Sequence, residues 1–277
     1  MNIDWSRMVK PQKDAYDTEM LRKLAKSRQY TGPKRFQLME PPADAPRIFG
    51  GQVALAHLRD DLRSPERYQH GNPEHPNFAI AETLLKRWPE AYEQFAQLMQ
   101  IVHPMEDVMV KNKRQPRGSS SHSEGDKFWT MYTTYYDPIG LAQAYVHEMA
   151  HNKLRAMGIF IDWAQHMILN DPNDLYVSPI ITTRKRPMTA VFHAQYSFMH
   201  VTALDVAMIE KEEDPAQLKI LYFFLHRNLT RMEQGDKEIK KYIQLDRPGE
   251  VFVNHFYTWT QSVFEKAHRI LEMAAPN

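Results

Sequence analysis

The 277-residue sequence contains no cysteine. Disulfides and thiolate metal sites are thereby excluded, and any bound metal must be held by nitrogen and oxygen donors. The same absence fits a reducing, cytoplasmic setting. Charge of one sign is also lacking: 35 basic residues meet 34 acidic ones, for a net charge of +1. That balance gives no electrostatic basis for nucleic acid or an anionic membrane as the main partner. No stretch approaches the ~18 uninterrupted apolar residues of a membrane span, and the opening MNIDWSRMVKPQKDAYDTEMLRKLAK has no apolar signal core. Internal repeats and low-complexity tracts are missing too. What remains is a soluble globular composition, 43% apolar and 25% charged, with enough chain for one large domain or two modest ones.

Apolar spacing predicts helices over 14–28, with Tyr16, Met20, Leu21 and Leu24 on one side, and over 77–102, where Pro89 kinks or splits the run. Asp107 to Val110 reads as a short strand, 111–126 as a polar loop, and the aromatic, β-branched Phe128 to Tyr136 as a strand. Further on, Asp137 is a good N-cap, Pro138 suits the first helical position and Gly158 is a plausible stop, which frames a helix of about twenty residues. Pro187 opens another long helix, to about Glu210. Two more are expected over 215–232 and 250–273, with Gly235 and Pro248-Gly249 as punctuation. The expected fold is mainly α with a small β element, a helical metal-binding core of α+β type. Residues 1–105 form a helical N-terminal region of unassigned role and 106–277 the catalytic region, the two together making one compact unit.

The chemistry is concentrated in His147-Glu148-Met149-Ala150-His151, inside the Asp137 helix. Residues four apart share a helix face, so both imidazoles can reach one ion. Glu148 projects about 100° away from His147, close enough to act on a metal-bound water or to orient a ligand. The flanking Leu141, Ala144, Tyr145, Val146 and Leu154 are apolar enough to bury the helix. A metzincin would carry a glycine and a third histidine at positions occupied here by Leu154 and Met157, so that class fails. A carboxylate ligand would come from acids such as Asp174, Asp205 or Glu210. His193, a turn and a half into the helix opened by Pro187, is the better third ligand; its bland alternative is a packed core histidine.

The segments LAQAYVHEMAH and LYVSPIITTRKRPMTAVFHAQYSFMHV together resemble the HExxH-motif peptide-modification proteins, understood as iron- and 2-oxoglutarate-dependent peptide β-hydroxylases of ribosomal peptide natural products. The matching features are Tyr176, Ser178-Pro179, Arg186-Pro187, His193 and the Tyr196/Phe198 pair, within about 60 residues from Leu141 to Val201. The chain departs from the pattern at Ile180 and Ile181, where the family usually has tryptophan and arginine, and it adds the basic pair Arg184-Lys185. The resemblance implies His147, His151 and His193 around Fe(II). It also implies 2-oxoglutarate as cosubstrate, whose distal carboxylate needs a cation; Arg186 is the first choice for a bidentate clamp and Arg184 the second.

The function so implied is hydroxylation of a side-chain β-carbon in a peptide, a ribosomal precursor, with Glu148 orienting rather than acting as a base. The chief rival is a zinc metallopeptidase in which Glu148 is the general base. A third reading is a non-catalytic peptide-binding scaffold that retains a metal site. His200 supports a metal ligand or is a core residue, the stretches FWTMYTTYY and NHFYTW line a peptide groove or pack in the core, and GSSSHSEGD is a lid or an exposed loop.

Overall fold

The computed structural model describes residues 2–28, 37–57, 62, 64–110, 118–178, 180 and 183–274. About 53% of the chain is helical and 13% lies in strands, so the protein is mainly α with a small β element. It contains two compact units: Arg22–Asn152, and Met1–Leu21 joined with Lys153–Asn277. The division falls within the first helix, α1 (Tyr16–Arg28), and within the motif helix, not at the 105/106 boundary read from sequence.

The unit 22–152 is built on a mixed sheet. Its strands are β2 (Arg47–Ile48), β3 (Val53–Leu55), β4 (Tyr68–His70), β5 (Ile101–Asp107), β6 (Ser121–His122) and β8 (Thr130–Thr133), while β1 (Gln37–Leu38) and β7 (Lys127–Phe128) pair separately. The order is β2-β3-β5-β8-β6, with β4 also on β5; β3, β5 and β8 are parallel, and the edge strands β2 and β6 run antiparallel to their neighbours. Between β4 and β5 lie α2 (Asn77–Leu85) and α3 (Pro89–Leu98). Pro89 does split the expected 77–102 helix, taking the first position of α3. The helix ends earlier than its apolar pattern suggested, because Ile101 and Val102 already belong to β5. That strand is buried on both faces, so it has no polar alternation to betray it. The strand expected at 107–110 therefore lies N-terminal of that range, ending at Asp107. The predicted strand 128–136 is broken at Trp129, whose φ of 64° separates β7 from β8.

The motif helix α4 (Pro138–Ala156) follows β8. The caps behave as the sequence predicts. Asp137 Oδ1 accepts from the Ile139 amide at 3.1 Å, and Gly158 adopts φ 90°. The Ile159 amide donates to Leu154 and the Gly158 amide to Arg155, each at 2.9 Å, which closes the last turn as a Schellman motif. In the sheet unit, Phe49, Phe95 and Tyr145 of α4 form one aromatic core, with centroids 4.6–5.4 Å apart.

In the other unit, α5 (Met188–Ile209), α6 (Pro215–Tyr242) and α7 (Arg247–Ala274) pack on one another, and the 3-10 turn Trp5–Arg7 lies on α7. Ahead of α5 a short hairpin pairs β9 (Leu175–Tyr176) with β10 (Arg186–Pro187). Two expected stops do not stop anything. Helix α6 runs through a buried Gly235, and α7 starts at Arg247, with Pro248 in its first turn and Gly249 so close to Met167 that a Cβ would stand 2.3 Å from its carbonyl oxygen. Packing overrides propensity in both places. Lys153 of α4 and Asp17 of α1 form an ion pair at 3.3 Å with both side chains fully enclosed.

His103 of β5 is buried and stacks on Tyr132 of β8, its register partner, with planes 14° apart. Burial, reinforced by His57, Lys127 and His122 and only partly opposed by the Ala56 backbone, holds its pKa down at about 3. An unfolded histidine titrates near ~6.5. As pH falls through that value towards 3, the unfolded chain takes a proton that the folded chain refuses, and stability drops by up to ~1.4 kcal/mol per unit. His103→Phe keeps the stacked ring and removes the proton. Chemical denaturation across this pH range should show a shallower acid loss in the variant; an unchanged slope would show that folded His103 is readily protonated.

Candidate metal centre

Helix α4 has almost no solvent face. From Ile139 to Ala156 every residue is buried except His147 and His151. Their Nε2 atoms stand 3.1 Å apart with ring planes 81° to each other. One ion at ~2.1 Å from each nitrogen can bridge that spacing, so the donor pair fits a borderline divalent metal. Burial holds the His147 pKa below the ordinary value, against a rise from neighbouring Glu148. The ring therefore stays in its neutral, ligating form to lower pH than a free histidine.

Glu148 is 2% exposed and its Oε1 lies 4.0 Å from His147 Nε2. Both carboxylate oxygens are held by β6 and the residue just after it: Ser121 Oγ donates to Oε1 at 2.7 Å, and Ser123 Oγ donates to Oε2. The extended chain keeps its alternation one residue past the strand, which aims both serines at α4. The expected loop or lid at GSSSHSEGD is a loop in which only Ser121 and His122 pair as an edge strand, and Ser121 and Ser123 bond the motif glutamate. Residues 111–117 lie outside the described structure. The period-two serines 121 and 123 were the available signal, hidden by a composition that reads as loop.

Two further groups lock this edge to the helix. Asp137 Oδ2 accepts from the Gly118 amide at 3.0 Å. Gly140, in the first turn of α4, sits under Gly118, and a Cβ there would fall 2.4 Å from the Gly118 backbone. Asn152, one residue past the motif, accepts from the Trp129 amide at 2.8 Å and donates to the Glu148 carbonyl at 2.9 Å. It thereby secures the left-handed residue between β7 and β8, a role the sequence did not reveal.

The remaining predicted site residues lie in the helical unit. His193 is buried in α5, and its Nε2 is 2.9 Å from the Ile159 carbonyl. A carbonyl only accepts, so Nε2 carries the proton and Nδ1 is the nitrogen that could ligate. Among the described residues no three His, Asp or Glu side chains gather into one metal-binding group. Asp205 is buried and accepts from Asn228, while Asp174 is exposed. Arg186 is half-buried on β10 opposite Tyr176, and Arg184 is exposed. Burial and then repulsion from Arg184 lower the Arg186 pKa, with Asp162 acting against them. Ser178 is buried; Pro179 and Ile181 lie outside the described residues. His200 is a core residue, its Nδ1 2.9 Å from the Tyr196 carbonyl and its ring on Trp259. The aromatics Phe128, Trp129, Tyr132, Phe256 and Trp259 are likewise buried in their cores.

No protein-family model matches the chain, and no curated protein is significantly similar to it.

Gly140→Ala tests whether close approach governs the site. On an ordinary helix alanine stabilises relative to glycine. Here the added methyl must push the Gly118–Ser119 backbone away, and a loss of about 1–3 kcal/mol is expected by chemical denaturation. A stability gain would show that the edge strand yields freely.

Proposed function

We propose that the chain is an Fe(II)- and 2-oxoglutarate-dependent oxygenase that hydroxylates a side-chain β-carbon of a ribosomally made peptide. The reading is carried by one observation: a motif helix buried at every position after its first, Pro138, except two histidines whose Nε2 atoms converge. The resemblance over Leu141–Val201 supplies the reaction class. Ferrous iron with 2-oxoglutarate and oxygen supplies the oxidising chemistry when bound.

The chain's own residues hold, orient and exclude. His147 and His151 would hold the ion; the resemblance would make His193 the third ligand, through the Nδ1 left by its contact with the Ile159 carbonyl. Arg186 takes the distal carboxylate of 2-oxoglutarate. Its half-burial and the repulsion from Arg184 are both relieved by an incoming anion, and its planar fork matches a carboxylate. Glu148 is a positioning residue. With a serine hydroxyl on each oxygen it holds β6 against α4 and keeps its neighbour His147 in place.

The zinc peptidase reading has one feature in its favour: Glu148 Oε1 lies on the side of His147 Nε2, at 4.0 Å. Glu148→Gln separates the two. A general base is worth ~10²–10⁴ in rate, so a peptidase would be nearly silenced with its metal retained. The oxygenase should keep 2-oxoglutarate-dependent hydroxylation well above background, because an amide preserves the shape and one acceptor. Succinate release, with a product heavier by one oxygen and formed only with iron and 2-oxoglutarate, is the expected result. Peptide cleavage with zinc and no keto acid would overturn the proposal.

Arg186→Lys should weaken 2-oxoglutarate binding by about 1–2 kcal/mol while metal occupancy is retained, since lysine cannot reproduce the bidentate geometry. An unchanged apparent affinity for 2-oxoglutarate in a titration of succinate release would move the clamp to Arg184.

A further inference from the structure

A second pair of histidines converges elsewhere in the sheet unit, and the sheet register brings it together. Strands β3 and β4 both pair with β5, β3 ending at Leu55 opposite Val102 and β4 ending at His70 opposite Met105. The Val102 carbonyl accepts from the Ala56 amide and the Pro104 carbonyl from the Gly71 amide. Carbonyls two apart on a strand point to the same edge, so the chain leaving β3 and the chain leaving β4 run towards each other along one side of β5. His57 and His70 sit where they meet.

Their Nδ1 atoms are 2.9 Å apart and their ring centroids 4.3 Å apart. His57 Nε2 is 3.0 Å from the Gly71 carbonyl. Because a carbonyl only accepts, His57 in its neutral form carries its proton on Nε2 and presents a bare lone pair at Nδ1. Imidazoles that ligate metals are oriented in this way, with the other ring N–H given to a carbonyl. Burial, aided by His70, keeps the His57 pKa below the ordinary value despite the Gly71 bond, which favours the neutral ring. His57 is half-buried and His70 exposed, so solvent ions reach them.

This place is separate from the motif pair. On β6, Ser121 faces α4 and His122 faces the other way, stacked on Tyr132 with planes 1° apart. His103 stacks on Tyr132 as well, and His70 stands opposite Met105, two residues from His103 on the same face of β5. His70, with the His57 ring beside it, therefore belongs to the face of the sheet turned away from α4.

We propose that His57 and His70 form a second metal site, through Nδ1 of each, for a late first-row divalent ion such as zinc, nickel or copper, with water completing the coordination. Imidazole nitrogen suits these ions, and a pair that no third ligand joins among the described residues suits reversible occupation rather than a closed structural site. The site stands whether or not the motif helix serves an oxygenase.

The test uses the full chain stripped of metal and carrying His147→Ala with His151→Ala, so that the motif pair is silent. Zinc titration by calorimetry should show saturable binding of about one ion per chain. Adding His70→Gln or His57→Gln should weaken it by about tenfold or more. His70 is exposed, so its variant should keep the parent's far-ultraviolet circular dichroism, which separates lost ligation from lost fold. Copper in the parent should give an electron paramagnetic resonance signal with two nitrogen ligands, reduced to one by His70→Gln. Absence of zinc binding in the parent, or binding that neither glutamine variant weakens, would overturn the site and leave the pair as an imidazole–imidazole hydrogen bond.

Discussion

A helix pressed on all sides has to satisfy its polar groups locally, and α4 is such a helix. Its 19 residues include Gln143, Glu148, Asn152, Lys153 and Arg155, every one of them buried. Leaving a buried polar group without a partner costs several kcal/mol. The geometry around the helix answers that demand. Glu148 takes two serine hydroxyls, Asn152 bonds to Trp129 and to the turn before it, and Lys153 meets Asp17. Beyond its first residue, Pro138, the two residues left partly open are the histidines, so what reaches the middle of α4 from outside reaches two imidazole nitrogens.

The same demand explains why the edge strand β6 lies where it does. Glycine at 140 lets the Gly118 backbone cross the first turn, and Asp137 caps the helix with one oxygen while holding that crossing with the other. From there the chain is delivered to Ser121 and Ser123, two hydroxyls spaced for one carboxylate. Capping, crossing and clamping are consecutive consequences of a single close approach. Both Glu148 oxygens are thereby engaged by the scaffold, which supports the proposed orienting role.

The sheet does a second thing with histidine. A strand period of two divides its faces, placing Ser121 and Ser123 towards the motif helix and His122, His103 and Tyr132 on the far side. The meeting of β3 and β4 along β5 then adds His57 and His70 to that far side. His103 and His122 are thus stacked on Tyr132 by pleat and register, while His57 and His70 form an open, convergent pair.

Much of this was legible in the residues themselves. The limits of α4 follow from Asp137, Pro138 and Gly158 because caps are local chemistry, and the convergence of His147 with His151 follows from helical period alone. The opening of α5 at Pro187 and the splitting of the 77–102 segment at Pro89 are likewise local. Other features depended on contacts between distant segments. Ile101 and Val102 join a strand because β3 and β8 flank them, and a doubly buried strand shows no alternation. Gly235 stays buried inside α6, and Gly249 stays inside α7 where Met167 approaches too closely for a side chain. Ser121 and Ser123 look like loop residues until the carboxylate they bind is brought beside them, and the proton on His193 is assigned only by the Ile159 carbonyl. The sequence by itself determined the helices' local signals and the paired imidazoles, since both are set within one turn of chain. Tertiary structure alone decided which oxygens, carbonyls and strands meet them, because those partners are separated by tens of residues and only packing brings them together.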